Sequence, residues 1–487
     1  MEKRESVKFN FIMNSILTAS AMIFPLITYP YVSRILQPQG IGSVSFANSV
    51  VTYFSMFAQL GIPTYGIRAC AKVRDNKEML TRTVQEIMFI NMITCLIVYI
   101  AFACSLFWVP AFRQEKALYV VMGSLILFNT IGVEWLYKSL EQYSYITIRS
   151  VVFKFIALIA MFVLVHEKED YIIYGGITIF AAVGSNIINF LNLRKFIYLR
   201  PVGAYNFRQH LKPISIFFAM SVATTVYTNM DNVMLGFMRG TTENGYYDAA
   251  VKIKNILVSF VASLGTVLMP RVSYYIEIGE QKEFYRITKK ALKFVFLLAT
   301  PLCLYFILFA APSIYLISGE LFSSSILPMR LIMPTLIFIG LTNIIGLQML
   351  VPMGRENQVL YSEIAGAIVN LIINSILIPR MGAAGAAIGT VAAEITVFIV
   401  QVIALRKVVI PILGKLPYWK NFLALLGGAV LSVGVLMFDL ANFITLAVSA
   451  VLFFGAYILI LLLLREDMAK EIFEQALKIL RIRKRDN

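Results

Sequence analysis

Asp248, Lys252, Asn255, Ser259, Ser263 and Thr266 recur at intervals that place them on one helical stripe roughly 80° wide. The residues between them are largely apolar. An ionised group in a bilayer costs about 2.5–3.5 kcal/mol on insertion scales, so such groups face a water-filled path or a partner. A stripe of acid, amine, amide and hydroxyl suits ion pairing and hydrogen bonding to a polar solute. Lys254 falls on a different face of the same helix. Glu363, Asn370 and Asn374 repeat the pattern later in the chain, and Ser221, Thr225, Thr228 and Asn232, beside Asn229 and Asp231, do so just before it. Asn14, Thr18 and Thr28, with Arg34 beyond them, form a fourth set. Serine and threonine alone read more simply as interhelical glue, worth about 0.6 kcal/mol each. The charged members do not, and Lys154 and Arg330 join them as isolated cations in apolar surroundings. Glu134 and Lys138 make an i, i+4 pair in the favourable order and read as structural. Gly385, Gly389 and Ala393 put a small residue at every fourth position, a signal for close helix packing, with Glu394 beside them.

Covalent chemistry has no comparable signature. There is no GxxxxGK[ST] phosphate loop, so ATP hydrolysis by that route is excluded. The only histidines are His166 and His210, and Cys70, Cys95, Cys104 and Cys303 form no CxxC pair. A zinc site and a disulfide framework are therefore not expected. The chain reads as a non-enzyme without metal or cofactor.

The elements that carry these residues must be membrane helices. Of 487 residues, 59% are hydrophobic and 14% charged, with mean hydropathy +0.77. Soluble proteins are about 45–50% apolar and about 25% charged. Each crossing needs about 20 apolar residues. Apolar runs give fourteen spans: 9–36, 41–67, 83–109, 117–140, 146–166, 171–193, 213–238, 245–270, 290–317, 325–351, 358–379, 383–405, 420–438 and 442–464. The run from Phe9 to Ile35 is too long for a signal-peptide core and reads as the first span, with kinks expected at Pro25 and Pro30. Strand alternation is absent, so the expected fold is an all-α polytopic membrane protein.

The net charge of +16 reflects sidedness rather than nucleic-acid binding. With the N-terminus inside, 33 Lys/Arg fall in inside segments and 6 in outside ones. That places both termini in the cytoplasm, with 68–82, 194–212 and 271–290 inside and Glu320 outside. Residues 465–487 show helical spacing and a basic end, consistent with an amphipathic helix on the inner membrane surface.

A shift of about 203 residues brings the halves into partial register: Gly42–Ala47 meets Gly245–Ala250, Leu60-Gly61 meets Leu264-Gly265, and Arg68 meets Arg271. Spans 1–6 therefore read as duplicated in spans 7–12, a transporter plan with the substrate path between the halves. The expected division is a lobe over 1–200, a second over 201–412, two extra helices over 413–464 and the tail over 465–487.

Three ordered segments resemble the polysaccharide-transporter branch of the multidrug/oligosaccharidyl-lipid/polysaccharide exporter superfamily. PLITYPYVSRILQPQGIGSVSFANSVVTYF, Pro25 to Phe54, is similar to its "PxxxPYxSRxLGxxGxG" opening, with Gln37 where glycine is usual. DNVMLGFMRGTTENGYYDAAVKIKN, Asp231 to Asn255, is similar to its "DxxMLG…GxYxxA" element, and NLIINSILIPRMGAAGAAIGTVAAE, Asn370 to Glu394, to its "NxxLNxxLIPxxGxxGAAxxT" element. The resemblance spans roughly 9–405 and implies two six-helix lobes around a cationic cavity. It also implies a flippase that moves undecaprenyl-diphosphate-linked oligosaccharide repeat units across the bacterial cytoplasmic membrane by alternating access, for O-antigen, capsule or related polysaccharide. Partners on this reading are the lipid-linked oligosaccharide, membrane lipid, an H+ or Na+ counter-ion and polysaccharide polymerases. Cations pair with a diphosphate and amides with sugar hydroxyls, which makes Arg34, Lys154, Asp231, Asp248, Lys252, Lys254, Asn255, Arg330, Asn370 and Asn374 the candidate cavity residues. The alternative is a multidrug exporter of the same superfamily driven by a cation gradient, which Asp231, Asp248, Glu363 and Glu394 would suit.

Overall fold

A computed structural model describes the backbone of residues 7–474. Its ordered elements are helices, with no strand among the described residues. Helix α1 (Val7–Gln59) is followed by α2 (Ile62–Val73), α3 (Lys77–Trp108), α4 (Lys116–Ile131), α5 (Glu134–Ser139), α6 (Tyr143–Leu164) and a helical segment α7 (Lys168–Lys195) that contains a π-turn at Phe180–Gly184. Then come α8 (Arg208–Arg239), α9 (Thr241–Glu277) and α10 (Gln281–Leu308). Next is a pair bent by 46°, α11 (Glu320–Ile332) and α12 (Thr335–Leu350). The last helices are α13 (Glu356–Met381), α14 (Ala383–Ala404), α15 (Tyr418–Val433) and α16 (Asn442–Leu463).

Eleven helices among the described residues are long and apolar enough to cross a membrane, or twelve with the bent pair as one span. This does not establish the expected fourteen. On this measure α1 and α2 form one run, Ile12–Val73, where the sequence reading places two crossings, and α9 is not among the eleven. The apolar exteriors agree with a bilayer environment. On α3, Ile93, Leu96, Ile97 and Ile100 form an exposed stripe, and Trp108 at its end is 83% exposed. A soluble protein rarely leaves such a continuous patch in water.

Helix α1 keeps helical φ/ψ through Pro25 and Pro30, and its backbone breaks further on. The one non-helical residue is Gln37, with φ 58 and ψ 177, directly before Pro38. Proline crowds the residue before it out of the helical region. Positive φ costs a non-glycine side chain roughly 1–2 kcal/mol, and this is the position where the resemblance expects glycine.

The chain forms two compact units, residues 1–248 and 249–487. In the first, Val44, Phe46 and Val51 of α1 pack with Phe102 of α3 and Tyr119, Met122 and Ile126 of α4. A second cluster joins Ile62 and Tyr65 of α2 to Val84 and Ile87 of α3, Trp135 and Tyr137 of α5, and Ile214 of α8. In the second unit, α10 packs through Leu292 and Val295 on Leu341 and Ile345 of the α12 region. Its last two helices are tied to α10 by buried polar contacts. The Tyr457 hydroxyl donates to Asn421 Oδ1 (2.7 Å) and to the Leu297 carbonyl (2.9 Å), and Asn421 Nδ2 donates to Thr300 Oγ1 at 3.1 Å. In the expected tail, residues 467–474 are helical, and Glu471 meets Lys290 of α10 at 2.9 Å. Residues 475–487 lie outside the described residues.

Candidate functional site

The first polar constellation lies where α1 meets α8 and the start of α9. Gly42 sits against the Thr241 carbonyl and Gly245, and Gly245 against the Pro38 carbonyl, so neither position has room for a Cβ. This close approach brings side chains together. Ser45 Oγ donates to Asp248 Oδ1 at 3.0 Å, and the Tyr247 hydroxyl donates to Asp231 Oδ2 at 2.5 Å. Asp231 and Tyr247 are buried and Asp248 is half-buried. A 2.5 Å O–H···O contact is the length expected of a charge-assisted bond to a carboxylate.

The second constellation gathers cations in the same unit. Lys138 Nζ meets Glu134 Oε1 at 2.8 Å, the helical pair read from the sequence. Arg149 Nη2 lies 3.8 Å from the other oxygen of that carboxylate, with a side chain only 5% exposed. Its Nη1 donates to the Ser185 carbonyl (2.8 Å) and to Asn186 Oδ1 (3.2 Å). Five residues further along α6, Lys154 Nζ donates to Ser20 Oγ of α1 at 2.9 Å. Two cations thus share one carboxylate, and a third cation on the same helix as Arg149 is held by a neutral hydroxyl.

The remaining candidates are not all brought together. Arg34 is exposed and its guanidinium donates to the Pro30 carbonyl of its own helix. Lys252 and Lys254 are half-buried and Asn255 is exposed, all on the part of α9 in the second unit. The side chains of Ser263 and Thr266, which complete that stripe, lie outside the described residues. Arg330 is exposed on α11. Asn370 and Asn374 are buried where α13 meets α14: Asn374 Nδ2 donates to Asn370 Oδ1 at 3.0 Å, and the Asn374 amide occupies the space that a Cβ on Gly389 would need. The small-residue signal of α14 and the amides of α13 therefore belong to one packing contact.

Sequence reasoning missed two groups. Arg149 was not among the candidates because a charge in the first turn of the run from 146 reads as belonging to the adjoining loop, whereas α6 starts at Tyr143 and Arg149 is buried within it. The usable signal was an arginine four residues into an apolar run. The second group is a buried carboxylate, Glu86. It accepts from the Asn206 backbone (2.7 Å), Gln209 Nε2 (2.8 Å) and Arg82 Nε (3.0 Å), and its Oε2 lies 2.7 Å from His210 Nε2. The other ring nitrogen, Nδ1, lies 2.6 Å from the Tyr65 hydroxyl. Its partners lie up to 124 residues away, beyond the reach of local spacing.

A family model described as "Polysaccharide biosynthesis protein" matches residues 7–276, more than half of the chain. The chain belongs to this polysaccharide biosynthesis protein family. A second model, MatE, matches residues 216–376. Family membership and fold together place the chain in the polysaccharide-transporter branch of the exporter superfamily that its motifs resemble. Among curated relatives, the "Putative O-antigen transporter" of Escherichia coli (strain K12) is 24% identical over 404 residues, covering 82% of this chain and 97% of that protein. Among solved structures, "Lipid II flippase MurJ, inward closed conformation" superposes with a TM-score of 0.75 at 14% identity, covering 94% of this chain and 99% of that one. An inward-facing multidrug resistance MATE family transporter of the MOP superfamily gives a TM-score of 0.62 at 15% identity, covering 83% and 99%. These structural likenesses establish the fold.

Proposed function

We propose that this chain is a flippase for lipid-linked oligosaccharides. It moves undecaprenyl-diphosphate-linked repeat units across the bacterial cytoplasmic membrane by alternating access, with no covalent step. The observation that carries this reading is the match of the family model over 7–276, extended nearly end to end by the relative whose name is an O-antigen transporter. The charge pattern supports it. Lys138, Arg149 and Lys154 outnumber Glu134, an excess that favours a diphosphate over an organic cation.

In this reading the lobes are residues 1–200 and 201–412, with 413–464 as an appendix, and both termini are cytoplasmic. Arg34, Lys154, Lys252, Lys254, Asn255 and Arg330 meet the diphosphate and glycan along the path. Asn370 and Asn374 hold α13 on α14. Asp231 and Asp248 are the acids through which an H+ or Na+ gradient acts, and a polymerase receives the product. The multidrug-exporter alternative rests on the MatE match and the second structural likeness.

Complementation separates the two. In a strain lacking its own repeat-unit flippase, this chain restores surface polysaccharide without raising resistance to organic cations. Restored resistance without restored polysaccharide supports the exporter.

A further inference from the structure

In the first unit, α2, α3 and the start of α8 enclose a cavity of about 530 Å³. Arg68 and Lys72, one turn apart on α2, and Lys212 on α8 line it, together with Thr83 of α3. All three cations are exposed, and among the described residues none has an ion-pair partner. The neighbouring cations contrast with them: Arg74 is bound to Glu141 at 2.7 Å and Arg82 to Glu86 at 3.0 Å. Among the described lining residues there is no carboxylate, and Glu86, which binds the lining residues Gln209 and His210, has a side chain 1% exposed and oxygens already taken by Asn206, Gln209, Arg82 and His210. It has nothing left to offer the three cations.

The wall itself is fixed. His210 is buried and held at both ring nitrogens, by Tyr65 and Glu86. Gly61, with φ +74, brings the start of α2 against the Phe217 backbone of α8. Three like charges lining one concavity repel one another, and an anion seated among them offsets that repulsion. The lining also has an apolar part, through Ile216 and Phe217, and Ile216 is itself exposed. A ligand matching both parts carries phosphate beside hydrocarbon.

We propose that this cavity binds a lipid-borne phosphate of the inner leaflet. Arg68, Lys72 and Lys212 take the phosphate oxygens and the chain lies along Ile216. The site lies among 68–82 and 194–212, two of the segments whose Lys/Arg excess marks the cytoplasmic side. Its occupancy does not depend on the transport reaction. The phosphate comes from an anionic phospholipid or from a polyprenyl diphosphate, and both present the same chemistry.

The test is binding of phosphatidylglycerol to the purified full-length protein in neutral detergent, read by native mass spectrometry. Phosphatidylcholine is the zwitterionic control. The triple variant Arg68→Gln, Lys72→Gln, Lys212→Gln should lose phosphatidylglycerol affinity by about tenfold or more, with phosphatidylcholine binding unchanged. A second triple, Lys282→Gln, Lys289→Gln, Lys415→Gln, removes equal charge from exposed positions elsewhere and should leave binding intact. Equal loss in both triples, or no loss in the first, overturns the proposal. Competition identifies the source. Displacement by equimolar undecaprenyl diphosphate assigns the site to the polyprenyl lipid, and resistance to it assigns the site to phospholipid. Full displacement by equimolar inorganic phosphate shows a simple anion site and overturns the lipid-borne part.

Discussion

Ser45 donates a 3.0 Å hydrogen bond to Asp248, the residue 203 positions further along. That interval is the shift at which the two halves of the sequence come into register. Gly42 and Gly245, also 203 apart, pack on each other's segments, and Asn244 Nδ2 reaches the Gly42 carbonyl. All of these residues lie in the first unit, where the start of α9 packs on α1. The contacts show why glycine occupies both positions: each faces a backbone carbonyl where a Cβ would lie.

Two substitutions at this junction should act in opposite directions. Gly245→Ala forces a methyl against the Pro38 carbonyl and should lower the melting temperature in detergent by several degrees. Gln37→Gly removes the side chain from a residue at φ 58 and should raise it, relieving roughly 1–2 kcal/mol. A thermal melt of each variant, followed by intrinsic fluorescence, checks both signs.

Arg149 should matter more than its place near the end of an apolar run suggests. Its side chain is 5% exposed and bridges Glu134, Ser185 and Asn186. Arg149→Ala leaves the buried Ser185 carbonyl and Asn186 Oδ1 without this donor, and an unsatisfied buried acceptor costs about 1–3 kcal/mol. Arg149→Lys should rescue little, because one ammonium does not reproduce the guanidinium fork. Denaturant unfolding in detergent measures both, and an unchanged midpoint for Arg149→Ala contradicts this role.

Asp231 and Asp248 test the energy source. In proteoliposomes with an imposed proton or sodium gradient, Asp231→Asn and Asp248→Asn should weaken the dependence of transport on that gradient. Asp231→Asn retains an acceptor for the Tyr247 hydroxyl, so the fold should persist. If both variants keep full gradient dependence, these acids are not where the gradient acts.

Much of the architecture was legible because membrane helices are written in local composition. The span expected over 383–405 is α14, Ala383–Ala404, and that over 442–464 is α16, Asn442–Leu463. The turn near 37–40 was legible from its motif, and α1 keeps helical φ/ψ through Pro25 and Pro30. The Gly385/Gly389 signal was correctly a packing signal, but its partner, the Asn374 amide, was visible only in three dimensions. What spacing does not carry is contact between distant segments. Glu86 reads as an ordinary acid near a helix start until Asn206, Gln209 and His210 close over it. Arg149 reads as a loop charge until α6 takes it inward.

The 33-to-6 split of Lys/Arg predicts that both termini are cytoplasmic. In a cysteine-free background, single cysteines at positions 200 and 282 should resist a membrane-impermeant maleimide in intact cells, and one at position 320 should react. Labelling at 200 or 282 reverses the assignment.

The most direct test of the flippase reading is transport itself. Purified protein is reconstituted into proteoliposomes with a fluorescent undecaprenyl-diphosphate oligosaccharide, and a membrane-impermeant quencher reports the fraction exposed on each leaflet. The expected result is protein-dependent equilibration of the lipid-linked glycan between leaflets, with Lys252→Ala slowing it by about tenfold at equal protein abundance. Equilibration no faster than in protein-free liposomes, together with gradient-driven movement of an organic cation by the same preparation, would contradict it and favour the multidrug exporter.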